Sequence, residues 1–271
     1  EEEVAYLTAE VAWQCQFLGH HRLSLRYFAI ALSKYQHLTD FYNTAAVLYG
    51  IAISKTLQNQ LSEAVDYNYQ SILLKEQAQD LFGLSLSNTL QGELHLLQAD
   101  FESADRFMSA AYAYIEEHIG PDLAIKQLKL LPLCKLCLGE LELAATMADQ
   151  LIAITDTSHP SGEYLLGFTL ITLTNALHRN PDVAYMPTQK IKFMVASPNL
   201  QTGQGKFSDS LRVLVHSILV LIYALNGDLE DSRELAQYLK ENASVLQIPL
   251  AVHFLFTADI VLLLHELGAT L

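Results

Sequence analysis

Small residues return every forty positions along this chain, at Ser24, Ala64, Ala104, Ala144 and Ala184. A second series runs five residues ahead of it, at Gly19, Asn59, Ala99, Gly139 and Arg179, each in a short polar break between two apolar-periodic stretches. A fixed period of this length marks a solenoid, in which a unit unable to bury its own apolar face is stacked on copies of itself. The expected fold class is therefore all-α, an α-solenoid of antiparallel helix pairs. Such a fold presents a recognition surface rather than a catalytic pocket.

The register divides the chain into repeats of about 1–40, 41–80, 81–120 and 121–160, then a degenerate repeat 161–206 with an insertion, a repeat 207–246 and a terminal helix 248–267. All are expected to form one domain, 1–271. The first pair is read as helices over Glu2 to Leu18 and His21 to His37. Within it Ala12, Gly19, Ser24, Phe28, Ala31 and Leu32 recur forty residues on as Ala52, Asn59, Ala64, Asn68, Ser71 and Ile72, and again as Gly92, Ala99, Ala104, Met108, Ala111 and Tyr112. The small residues let two helices approach, and the larger ones fill the adjoining groove. Pro121 suits a helix start. Pro132 falls at the position of Ala12, Ala52 and Gly92, where it should kink the helix or end it early. The fifth loop is placed at His178-Arg179-Asn180-Pro181, Pro187 should interrupt the helix after it, and 181–206 should be the least regular stretch. The period resumes at Gly227 and Ser232, each 48 residues beyond Arg179 and Ala184. Leu211 to Leu225, Leu229 to Leu239 and Pro249 to Leu267 are the last helices.

These positions resemble the tetratricopeptide (TPR) signature, with its small residue in the first helix, loop glycine, and small and bulky residues in the second. Gly92-Glu-Leu-His-Leu-Leu-Gln-Ala-Asp100-Phe101-Glu-Ser-Ala104 is the clearest instance. The resemblance covers about residues 1–155, and 207–271 in outline. It departs from the usual pattern in its period of 40 rather than 34, in Asn68 and Ala148 at the bulky site, and in lacking the proline after the second helix. Forty-residue members of this family include kinesin light chains, polarity adaptors and sensor domains of bacterial transcription activators. The resemblance implies a right-handed superhelix and partner binding on its inner face.

The net charge of −14, from 30 acidic and 16 basic residues, excludes direct binding to nucleic acid or to an anionic membrane surface as a property of the whole chain. Three cysteines, Cys15, Cys134 and Cys137, are too few for a disulfide scaffold, so an intracellular compartment, cytoplasmic or nuclear, is expected. No secretory signal is visible. The chain opens on Glu1-Glu2-Glu3 and closes on Gly268-Ala269-Thr270-Leu271, and reads as a fragment with possible flanking domains. Val213 to Leu225 is too short to span a bilayer and is read as a buried helix.

No enzyme is expected, and no cofactor or metal. Cys134-Lys135-Leu136-Cys137 lies late on an expected helix with no second ligand pair, so its thiols are read as buried. The ten histidines form no HExxH, and no phosphate loop or nucleophile elbow occurs. Gly203-Gln204-Gly205-Lys206 reads as linker, and Asn242-Ala243-Ser244 as a chance glycosylation sequon.

The TPR resemblance assigns the inner face to first-helix residues beside the small residue: Ala9, Trp13 and Gln16; Tyr49, Ile53 and Thr56; Thr89, Glu93 and Leu96; Lys129, Leu133 and Leu136. Trp13 and Tyr49 are strong anchor types, because large aromatics carry a disproportionate share of interface energy. The competing reading makes both aromatics core. The set lacks the Lys/Asn/Arg constellation that clamps a C-terminal carboxylate in chaperone-binding TPR modules. The expected function is a non-catalytic scaffold that holds a peptide or helical segment of a partner protein, one with apolar and basic residues, in its concave groove. The alternative is a sensing domain of a regulator, tightened by a small molecule or peptide.

Overall fold

The computed structural model describes residues 1–154, 162–178, 188, 191, 209–241 and 248–267. Arg179, Pro181, Ala184, Pro187, the 192–208 stretch and the Asn242 sequon lie outside the described residues. Thirteen helices and no strand occur among the described residues. They are α1 (Glu2–Phe17), α2 (His21–His37), α3 (Phe41–Thr56), α4 (Leu61–Ala78), α5 (Leu81–Leu97), α6 (Phe101–His118), α7 (Pro121–Gln127), α8 (Leu131–Cys137), α9 (Leu141–Ala153), α10 (Gly162–Leu177), α11 (Asp209–Asn226), α12 (Leu229–Lys240) and α13 (Pro249–Glu266).

The chain separates into two compact units, one of Glu1–His95 with Ser103–His118 and one of Leu96–Glu102 with Ile119–Leu271. In the first, α1 packs on α2, α2 on α3 and α3 on α4. In the second, α8 and α10 pack on α9, α10 packs on α11, and α11 packs on both α12 and α13.

The forty-residue series has a structural meaning at each member described. Gly19, Asn59, Ala99, Gly139 and Gly227 all adopt positive φ, between 58° and 84°. Each closes the first helix of a pair with its own amide donating to the carbonyl three residues earlier. The Gly19 amide donates to the Gln16 carbonyl and the His20 amide to that of Cys15. Asn59 and Gln60 repeat this with Thr56 and Lys55, and Gly139 and Glu140 with Leu136 and Lys135. This left-handed cap satisfies carbonyls that the helix end leaves unpaired. The turn between pairs is periodic as well. Thr39 and Gln79 have positive φ, and the side chains of Asp40 and Asp80 then cap the next helix by accepting from the amides of Asn43 and Gly83.

The small-residue series marks the close approaches. Ser24, Ala64, Ala104 and Ala144 are all buried. From each, a buried stripe runs along the second helix at the spacing of one helix face: Ser24, Phe28, Ala31 and Tyr35 in α2; Ala64, Asn68, Ser71 and Lys75 in α4; Ala104, Met108, Ala111 and Ile115 in α6. Across from the stripe, a Cβ added to Gly92 would collide with the Met108 side chain and stand 3.0 Å from the Ala104 carbonyl oxygen.

Pro132 does break its helix, but on its N-terminal side. α7 ends at Gln127, and Pro132 occupies the first turn of α8, where a missing N–H is harmless. An uninterrupted helix would set the proline ring against the Leu128 carbonyl; that carbonyl instead accepts from the Leu131 amide at 2.9 Å. Cys134 is buried, and burial pushes the Cys137 thiol up to about 12. α11 is a core helix, with Val213 through Ala224 largely buried. α13 is long and apolar enough to cross a membrane by length and composition, although Leu250, Ala251, Phe254, Leu255, Ala258, Val261 and Leu262 are buried within the protein.

Candidate partner-binding site

The first unit brings together most of the residues expected on the inner face. Trp13 on α1 is half-buried, its ring edge-on to Phe28 with centroids 5.0 Å apart, and it lies against Gly50 of α3. Only glycine admits the indole and Phe28 at that point, because a Cβ there would come 2.9 Å from the Trp13 ring. One turn on, the Gln16 amide donates to the Gly50 carbonyl at 2.8 Å and to Ser54 Oγ at 2.7 Å, while Ser54 Oγ also meets Ser24 Oγ at 3.2 Å. These bonds fasten α1 to α3 and hold Gln16 in one pose.

Tyr49 on α3 is likewise half-buried, and its ring receives the Lys75 ammonium of α4 at 4.4 Å. Burial, with the Glu93 carboxylate of α5 adding to it, pushes the Tyr49 hydroxyl up to about 12. Tyr49, Lys75 and Glu93 thus link α3, α4 and α5. Ile53 and Thr56 are half-buried on α3, and the Thr56 hydroxyl is taken up by its own helix at the Ala52 carbonyl. Thr89 is buried and its hydroxyl donates to the Ser85 carbonyl.

Besides Thr89, four expected inner-face residues are corrected. Leu96 and Leu133 have no exposed surface and belong to the packing of the second unit, with Leu136 nearly so; Ala9 is buried in the core of the first. At these positions the apolar side chain turns into the helix contacts because burial is worth more than any surface role. Lys129 is half-buried in the break between α7 and α8, also in the second unit.

A polar seam was not anticipated. Asn68 donates to the Ser87 carbonyl and to Gln91 Oε1, both at 2.8 Å; Ser71 donates to the Ala45 carbonyl at 2.7 Å; and Lys75 Nζ donates to Ser87 Oγ at 2.7 Å. All five side chains are buried. Burial pushes the Lys75 ammonium down to about 8, partly offset by Asp80. The signal was present in the register: Asn68 and Lys75 stand where the neighbouring repeats place Phe28 and Tyr35, or Met108 and Ile115, in the core. Among the described residues no group of three or more His, Cys, Asp or Glu side chains is placed to hold a metal.

Comparison with solved structures settles the fold. The apo form of RapI superposes with a TM-score of 0.62 at 15% identity, over 97% of this chain and 99% of that one. The Rap conjugation gene regulator of the plasmid pLS20, in complex with the Phr* peptide, gives 0.60 at 14% identity over 95% and 73%. TPR-like repeats assigned to a kinesin light chain of Podosopora anserina give 0.55 at 13% over 72% and 97%. The chain has a TPR-like helical-repeat fold. No protein-family model and no curated protein sequence matches it.

Proposed function

We propose that this TPR-like chain is a non-catalytic scaffold that binds a peptide or helical segment of a partner protein on the face presented by α1, α3 and α5. The observation that carries this reading is the preorganisation of half-exposed side chains there. Trp13 is held by Phe28 and Gly50, Gln16 by Gly50 and Ser54, and Tyr49 by Lys75. Large aromatics that are partly exposed yet fixed lose little entropy on binding and make efficient anchors. Ile53 adds an apolar contact and Glu93 a charge that suits a basic residue flanking the partner's apolar ones. The excess of acidic side chains favours the same partner and speeds its approach at low salt. The unbroken sequence register from Gly19 to Ala184 supports treating 1–271 as one functional domain. An intracellular setting, cytoplasmic or nuclear, goes with this reading. A regulatory variant of it, in which a bound peptide shifts an equilibrium elsewhere, draws on the Rap regulator solved with a peptide.

The test is selection of peptides on the immobilised protein, followed by Trp13→Ala and Tyr49→Ala. Each variant is expected to weaken the selected peptide by about 1–3 kcal/mol while the melting temperature holds. Intact affinity with lowered melting would return both aromatics to the core and remove the proposal.

A further inference from the structure

The second repeat departs from its neighbours at two positions together. Forty residues to either side of Tyr49 stand Ala9 and Thr89, both buried, and forty to either side of Lys75 stand Tyr35 and Ile115, both in the core. In the first pair Ala9 and Tyr35 share one apolar cluster, a small side chain matched to a large one. In the second pair the large side chain is Tyr49, on the first helix, and its counterpart is a lysine whose ammonium lies 4.4 Å from the ring centroid. A methionine would fill the same space without taking a charge out of water. Packing alone therefore does not call for the lysine. Its contacts show what it adds. Lys75 is 5% exposed, and its Nζ donates to Ser87 Oγ of α5 at 2.7 Å. Ser87 Oγ meets Ser71 Oγ at 3.3 Å, and the Ser71 hydroxyl donates to the Ala45 carbonyl of α3. The point that the ammonium occupies over the ring is thus set by α3, α4 and α5, and an ammonium at that distance attracts the ring face.

We propose that Lys75 is the positioning residue for the Tyr49 anchor: its ammonium, fixed by Ser87, holds the half-exposed ring in the pose that a partner peptide meets, and peptide affinity follows the charge on Lys75. This rests on the reading of the α1–α3–α5 face given above and adds a regulation of that face. A charge retained in the core against stability is expected where it serves binding. The titratable and charged groups around Lys75 are the Tyr49 hydroxyl from α3, the Glu93 carboxylate from α5, which acts on that hydroxyl, and the Asp80 carboxylate from the turn into α5, which favours the ammonium. Burial outweighs Asp80 and brings Lys75 down to about 8, whereas the Tyr49 hydroxyl is pushed up to about 12 and keeps its proton through the same range. The ring is therefore held at pH 7, and the hold is lost as the pH rises past 8.

The test is fluorescence anisotropy from about pH 7 to 9.5 with the tightest peptide selected on the immobilised protein, N-acetylated and rhodamine-labelled. Wild-type affinity is expected to fall about three- to tenfold over this range. Lys75→Met should bind at neutral pH as weakly as the wild type does at the alkaline end, and should show no further change. Circular dichroism checks folding, with Lys75→Gln in its place if the methionine variant does not fold. In the free protein carrying [13C]tyrosine, the Tyr49 ring signal, identified by its absence in Tyr49→Phe, should move with a midpoint near 8 and stay fixed in Lys75→Met. Bound peptide should raise that midpoint, since linkage is reciprocal. Equal affinity of wild type and Lys75→Met, with Tyr49→Ala still weakening the peptide, overturns this inference and leaves the partner-face reading standing. A Tyr49 signal that does not follow Lys75 overturns it too. So does binding that tightens with rising pH or in Lys75→Met, which would make the ammonium a repellent of the partner. A selection that yields no peptide, or a peptide that ignores both Trp13→Ala and Tyr49→Ala, removes the partner-face reading and this inference with it.

Discussion

The Lys75 ammonium lies 4.4 Å above the Tyr49 ring and donates to Ser87 Oγ at 2.7 Å, so its close contacts are an aromatic face and a hydroxyl rather than a carboxylate. A buried charge held this way costs stability, because neither contact replaces the water it lost. The folded chain releases the proton near 8, whereas the unfolded chain holds it to about 10.5. Between those values the unfolded state binds more protons, so stability rises with pH through this window, and below it the penalty is present in full. Urea denaturation from pH 7 to 10 should show this rise relative to Lys75→Met, and Lys75→Met should be the more stable by on the order of 1 kcal/mol at pH 7. A parallel pH dependence of the two proteins would refute the assignment.

Gly92 supplies the sharpest test of the helix crossing. Alanine favours an exposed helix over glycine by about 1 kcal/mol, yet here its Cβ meets Met108 and the Ala104 backbone. Gly92→Ala should therefore destabilise, and Ala104→Leu more so, by about 1–3 kcal/mol through overpacking. Chemical denaturation reads both.

Ala99 occupies the left-handed turn position that Gly19, Gly139 and Gly227 fill with glycine. A Cβ there carries a cost of roughly 1–2 kcal/mol. Ala99→Gly should raise the melting temperature and Gly19→Ala lower it, opposite signs from one conformation.

The Cys137 thiol, held up to about 12 by burial, should resist iodoacetamide in the folded protein at pH 7.5. Mass spectrometry after brief labelling should find it modified only when urea is present.

The periodicity made the helix pairs legible because close packing and left-handed caps each demand a residue type at a fixed place. Helix ends such as His37 and the starts at Pro121 and Pro249 followed from the same rules. The direction of the Pro132 break did not, since a proline permits either a kink or a new first turn and the neighbouring packing chooses. The expected inner-face positions were legible only as places on a helix face. Spacing places a residue on a helix face, but whether that face is half-open, as at Trp13 and Tyr49, or closed, as at Leu96 and Leu133, depends on what packs over it. Lys75 was hidden because a single helix shows its lysine as a surface residue; only alignment with Tyr35 and Ile115 reveals a core position.

The recurring turn at Gly19, Asn59 and Ala99 has a consequence for how such a chain changes length. Among the described residues, the first helices that end at Gly19, Asn59, Gly139 and Gly227 close in the same backbone hand-off, with the same two hydrogen bonds leading into the next helix, and Ala99 shares its conformation and the first of those bonds. A cut at one turn and a join at another, for instance Gly19 followed directly by Gln60, recreates a junction the molecule already uses. Whole forty-residue cassettes are therefore interchangeable at their ends, and what limits their exchange is the stripe each second helix carries: apolar in α2 and α6, polar in α4.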